Sequence, residues 1–167
     1  MVVAFYVDEM NFRGVANSTY LYAKYCNSIL KYKSLIFYNK NNSSNKIKVI
    51  KKFKNRFKIF GISNFKEIDN FQKKFKIEYI YTQKGGERNL WQSNKIKTVI
   101  HAVYPQKFKE VHGHNYAFIS EWLSEKFSNK KIPYVPYIVE INKTKGNLKK
   151  KFQIEKNQLV FGYHGGE

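Results

Sequence analysis

Val2-Val3-Ala4-Phe5-Tyr6-Val7 is an unbroken apolar run of β-forming residues, and Asp8-Glu9-Met10-Asn11-Phe12-Arg13-Gly14-Val15 follows it. An apolar run without polar alternation marks a strand covered on both faces, as in a parallel sheet. Residues 8–17 carry Asn, Gly and charge and read as a loop. From residue 18 a helix follows, with Tyr22, Cys26 and Ile29/Leu30 spaced for one buried stripe. Strand, polar loop and helix form the first unit of an α/β fold.

The same unit recurs along the chain. Residues 34–38, 58–62, 77–82, 97–103 and 116–119 read as strands, and 134–140 as a last extended segment. Helices are expected over 46–57, with Ile47, Ile50, Phe53 and Phe57 on one side, and from Asn64, where Glu67 completes a capping box. The stripe of that second helix is Phe65, Ile68, Phe71 and Phe75, and a further helix runs from Ser120 to residue 127. Alternation of this kind predicts a Rossmann-like parallel sheet with helices on both faces, whose ligands sit in loops at the carboxyl ends of the strands. Residues 1–141 form this domain. Residues 142–158 read as a linker with a short helix at 148–154, and 159–167 as the first strand of a further domain whose continuation lies past Glu167.

Composition narrows the function classes. Hydrophobic residues make up 43% and aromatics 17%, too many for a disordered chain. The net charge is +19, which attracts polyanions. Yet Arg13, Arg56 and Arg88 are the only arginines, and base reading and bidentate phosphate grip favour arginine. The lysines are scattered and travel with asparagine and isoleucine, so solvated helix faces and a functional basic surface both stay open as readings. Cys26 is the only cysteine, which excludes an internal disulfide and a cysteine-based zinc site. The apolar run at 2–7 has no basic leader and is too short for a signal peptide or a span, so a cytoplasmic protein is expected. The basic, amphipathic helix at 46–57 offers a peripheral contact with anionic membrane.

Three loops hold the candidate chemistry. Arg13 and Gly14 precede a helix whose N-terminal amides suit an anion, with a plain turn as the alternative. Lys84-Gly85-Gly86-Glu87 ends a strand with two glycines that permit close backbone approach, or a charged turn. His101 and the pair His112 and His114 read as donors to hydroxyls or phosphate, or as proton carriers, rather than as metal ligands; a packed, satisfied side chain is the alternative for His101. His164-Gly165-Gly166 is a third glycine turn able to hold phosphate. No nucleophile elbow, Walker loop or G-x-G-x-x-G fingerprint is present.

The order of these motifs resembles GT-B fold glycosyltransferases related to family 4. Arg13-Gly14 stands before a tyrosine-rich helix, Ser34-Leu35-Ile36-Phe37 and Lys84-Gly85-Gly86-Glu87 follow, and Tyr116-Ala117-Phe118-Ile119-Ser120-Glu121-Trp122-Leu123 comes next. Val135-Pro136-Tyr137-Ile138-Val139 and the passage from Leu148 to Gly166 complete the series, which spans nearly the whole chain. The resemblance implies two Rossmann-like halves with the active site between them. Transfer of a hexose would run from a UDP- or GDP-sugar to a glycan or lipid-linked acceptor, without bound metal or cofactor. On that reading Arg13 and Gly14 face the donor phosphates, while His101 and the His112–His114 loop lie near the transferred sugar. The chain departs from the pattern in having a single glycine after its first strand and Tyr137 where relatives often carry histidine or asparagine. The acidic donor-sugar motif would lie past Glu167. The competing reading is a basic α/β module that binds nucleic acid without catalysis, resting on the +19 charge. Against it, most aromatic residues stand at core spacing.

Overall fold

A computed structural model describes residues 1–89, 91–140, 148–155 and 157–161. The run that opens the chain is strand β1, Val2–Val7, and it is buried from Val3 onward. It leads into helix α1, Gly14–Ser28, which begins four residues earlier than periodicity places it. Strand β2, Lys33–Asn39, lies beside β1. Helix α2, Ile47–Lys54, and strand β3, Lys58–Ile62, complete this half. All three strands run parallel, with Val3 opposite Ser34 and Ile36 opposite Ile59.

The chain then crosses to the other side of β1. Phe65–Phe71 forms a 3-10 helix, and only Gln72–Phe75 (α3) is α-helical. The sequence expectation of one α-helix is corrected here, and the spacing gives the reason. Phe65, Ile68 and Phe71 recur every three residues, which lines one face of a three-residue turn, whereas Phe75 comes four residues later. Glu67 Oε1 accepts from the backbone N–H groups of Ser63 and Asn64, which fixes the helix start.

Strands β4, Tyr79–Lys84, β5, Lys97–Ala102, and β6, Asn115–Phe118, follow, all parallel. The sheet order is β3-β2-β1-β4-β5-β6. Helix α4, Glu121–Ser128, starts where Ser120 Oγ accepts from Leu123 N–H at 3.3 Å. The α/β Rossmann-like arrangement read from the sequence is therefore the fold.

Two layers cover the sheet. On one face Val3, Phe5, Val7 and Ile36 pack under Ala16 and Ala23 of α1 and Val49 and Phe53 of α2. On the other, Ala4, Leu35, Phe37 and Ile80 meet Phe65 and Ile68, while Ile100, Tyr116 and Phe118 meet Leu123 of α4. The apolar side of α2 is thus spent on the core, and Ile47 is its exposed apolar residue.

Residues 134–140, read from sequence as an extended segment, make a single bridge between Tyr134 and Phe118. They then form a strap across the α1 face of the sheet. Tyr22 Oη donates to Pro136 O at 2.5 Å, and Glu140 accepts from Tyr25 Oη at 2.7 Å and pairs with Lys24.

Helix α5 covers Leu148–Lys151. Residues 159–161 form no strand here, and the rest of the expected 159–167 strand, like residues 142–147 and 156 of the expected linker, lies outside the described residues. Leu159 and Phe161 are exposed, and a strand is stabilised only when another strand takes up its backbone groups. Among the described residues no helix is long and apolar enough to cross a membrane.

Candidate functional site

The strand order reverses between β1 and β4. The connection after β1 leads toward β2, the one after β4 leads toward β5, and the two diverge above the sheet. In such folds that divergence leaves a crevice at the carboxyl ends of the strands, where ligands bind. Here it is a cleft of about 520 Å3.

One wall comes from the loop between β1 and α1, through Asp8, Glu9, Asn11 and Arg13, and from Gly14 and Val15 at the start of α1. Asp8 is held firmly: it accepts from Tyr6 Oη at 2.8 Å and from the amides of Asn39 and Asn42, each at 3.2 Å. Asn11 clamps the turn by donating to Glu9 Oε2 at 2.6 Å and accepting from Arg13 N–H at 2.9 Å. The Arg13 guanidinium stands in solvent, 3.8 Å from Glu9, a pairing too exposed to hold it. Among the described residues no side chain caps α1, so the first-turn amides of this 15-residue helix are left to the cleft. A side chain at Gly14 would meet nothing within 4 Å, so protein packing does not demand glycine there.

The opposite wall is the end of β4. Gln83 and Lys84 leave the strand on opposite faces of the sheet, and Gly85, Glu87 and Trp91 follow. Lys84 is buried, 5% exposed. Its ammonium donates to Asn89 Oδ1 at 2.5 Å and to His112 Nε2 at 3.0 Å, and lies 5.6 Å from the centre of the Trp91 ring. Burial pushes the Lys84 pKa down to about 8, and Glu87 partly offsets this. Burial also lowers the His112 pKa, with Lys84 and Arg88 adding to the effect, so the ring is neutral at pH 7. Its Nδ1–H donates to Glu110 O at 2.6 Å, leaving Nε2 as the acceptor that Lys84 needs. Gly86 is a structural requirement: it has φ +114, and a Cβ would sit 2.7 Å from Ala102 Cβ and Tyr116 Oη. Tyr104 and Tyr137 bring two further rings to the rim.

The structure sorts the candidate residues. Arg13, Gly14, Lys84, Gly85 and Glu87 come together around the cleft. His112 stands behind Lys84 as its partner. His101 does not border the cleft: it shares the α1 face with its register partner Gln83, but is 2% exposed beneath the strap, whose Val135 and Tyr137 lie against it. Both its nitrogens are engaged, Nε2 with Val135 O at 2.8 Å and Nδ1 with Tyr81 Oη at 2.6 Å. Burial lowers its pKa, only partly countered by the Val135 and Phe118 backbone, so the ring is neutral at pH 7. His114 lies near the amino ends of β5 and β6, where its Nδ1 accepts from Thr98 N–H at 3.1 Å, at the end of the sheet away from the cleft. His164, Gly165 and Gly166 lie outside the described residues.

Gln83, Asp8, Asn11, Trp91 and Tyr104 were not singled out by sequence reasoning. The available signal was alternation. In Tyr79-Ile80-Tyr81-Thr82-Gln83-Lys84, Gln83 shares the core-facing register of two tyrosines, an odd place for an amide. Among the described residues, no group of three or more His, Cys, Asp or Glu is arranged to hold a metal ion.

Together the walls offer cations and helix amides suited to phosphate, carboxylates and amides suited to hydroxyls, and aromatic rings suited to sugar faces. No family model, no curated protein and no solved structure matches this chain.

Proposed function

We propose that this chain supplies the sugar- and phosphate-binding wall of a glycosyltransferase. That enzyme would move a hexose from a UDP- or GDP-sugar to a glycan or lipid-linked acceptor. The observation that carries the reading is the convergence of Arg13, Lys84 and the amino end of α1 with Asp8, Glu87 and Trp91 on one cleft at the strand-order reversal. Phosphate alone would not call for the carboxylates, and a nucleic-acid groove would not place Asp8, Glu9 and Glu87 along its wall.

In the transfer, the bond between the anomeric carbon and the phosphate oxygen breaks and its electron pair leaves with the nucleoside diphosphate. An acceptor hydroxyl oxygen bonds to the same carbon and gives up its proton. Arg13, Lys84 and the α1 amides would stabilise charge growing on the leaving group, the type of interaction that supplies most of the rate effect in such reactions. Glu87, the exposed carboxylate of the β4 wall, is our candidate to take the proton.

The test is calorimetric titration of the full chain with UDP-glucose, GDP-mannose, glucose 1-phosphate and a single-stranded oligonucleotide near physiological salt. Binding of a sugar phosphate or nucleotide sugar, weakened in Arg13→Ala, supports the reading. Oligonucleotide binding that no sugar compound displaces would replace it with the nucleic-acid module.

A further inference from the structure

Among the described residues, a buried amide oxygen beside the cleft has no partner. Gln83 is 3% exposed, and its Oε1 makes no hydrogen bond, although the side chain borders the cleft at the end of β4. Leaving such an atom unpaired costs a fold the desolvation of that group with nothing in return.

The network behind Gln83 determines which of its two amide atoms is left over. Val135 O is only an acceptor, so His101 Nε2, 2.8 Å away, must carry the ring hydrogen. In the neutral ring Nδ1 is then bare and accepts. Two groups face it, Tyr81 Oη at 2.6 Å and Gln83 Nε2 at 3.3 Å, and both serve as donors. Turning the Gln83 amide over would set two acceptors against each other. The strap therefore fixes the histidine, and the histidine fixes the glutamine with its NH2 inward and its carbonyl oxygen uncommitted. His101 is a positioning residue in this chain of contacts.

We propose that Gln83 is a specificity-determining residue of the cleft, whose Oε1 accepts a hydrogen bond from a hydroxyl of the bound sugar. The proposal rests on the sugar-binding reading above. Three features of the surroundings fit it. Gly14 and Val15, at the amino end of α1, border the same cleft and suit a phosphate. Tyr137 of the strap offers a ring for a sugar face. Ser18 of α1, buried with an unpartnered Oγ, lies in an adjoining recess that shares Gly14 and Tyr137, so a polyhydroxylated ligand has a second group to meet.

The experiment uses the full chain, wild type and Gln83→Leu, titrated with glucose 1-phosphate and its four monodeoxy analogues lacking the 2-, 3-, 4- or 6-hydroxyl. One analogue should bind wild type about tenfold more weakly than the parent sugar, and Gln83→Leu should bind parent and that analogue alike. Urea unfolding supplies the second readout. Gln83→Leu should be as stable as wild type or more so, because it removes an unpaired buried oxygen, whereas loss of a purely structural amide would destabilise. If wild type binds the parent and Gln83→Leu binds it equally well, the Gln83 assignment falls alone and the oxygen is satisfied by a buried water. If wild type binds none of the five sugars, the reading of the cleft falls with it.

Discussion

Lys84→Met tests whether a charged group is held in the cleft wall at the expense of stability. The substitution keeps the length of the side chain and its packing near Trp91, but removes an ammonium that is 5% exposed and donates to Asn89 and His112. A fall from the ordinary 10.5 to about 8 corresponds to ~3 kcal/mol if the group were fully desolvated. Water in the open cleft screens part of this, so about 1–2 kcal/mol is the working figure. The sign follows from proton counting. Between about pH 8 and the ordinary 10.5 the unfolded chain holds a proton on Lys84 that the folded chain has lost. Raising the pH through that window therefore stabilises the folded wild type, and Lys84→Met has no such term.

The assay is urea unfolding of both proteins at pH 7, 8.5 and 10. The two hydrogen bonds lost with the ammonium offset the difference between variant and wild type, every other titrating group largely cancels in it, and the change of that difference with pH therefore reports Lys84. Wild type should gain about 1–2 kcal/mol on Lys84→Met between pH 7 and pH 10. A difference that stays flat across that range refutes the reasoning: it would mean that the ammonium is as well hydrated in the fold as in the open chain.

Other outcomes follow from the same geometry. Gly86→Ala should lower stability by about 2–4 kcal/mol in urea unfolding, since φ is +114 and the new methyl meets Ala102 and Tyr116 at 2.7 Å. Arg13→Ala should leave the unfolding free energy within about 0.5 kcal/mol of wild type, because its ion pair with Glu9 is exposed, yet weaken phosphate-bearing ligands in calorimetry. Burial holds the His101 pKa below the ordinary 6.5, so below that pH the unfolded chain takes up a proton the fold resists and stability drops. His101→Phe should be less stable than wild type at pH 7, through loss of the Val135 and Tyr81 bonds, with a shallower decline from pH 7 to pH 5 in urea midpoints.

The sheet was readable because its signals are local. Val2–Val7 is buried from Val3 on, and such a strand declares itself by unbroken apolarity. Ser120 and the Asn64–Glu67 pair mark helix starts by short-range hydrogen bonds that spacing alone predicts. The early start of α1 was hidden because Gly14 and Asn17 read as loop residues and residues 14–17 carry no apolar stripe. The helix is held there by its place over the sheet, a non-local cause. The grouping of Arg13, Lys84 and Glu87 was also legible, since the carboxyl ends of β1 and β4 meet in any sheet of this order.

The histidines show where sequence reading stops. Residue type made His101 and His112 candidates for catalysis and His114 a candidate for binding, yet their roles depend on register and on partners far along the chain. Alternation along β5 sets His101 on the same face as its partner Gln83, and it is the strap, through Val135, that closes over the histidine and keeps it from the cleft. His114, two residues past His112, falls at the other end of the sheet because the chain between β5 and β6 has by then run back to the amino edge. What separates a structural polar residue from a functional one here is whether its bonding capacity is filled. Val135 and Tyr81 leave His101 nothing to offer a ligand, whereas Gln83, next to it and equally buried, keeps an acceptor in reserve. That distinction lies in a network joining residues 81, 83, 101 and 135, and no window of sequence short enough to read by pattern contains all four.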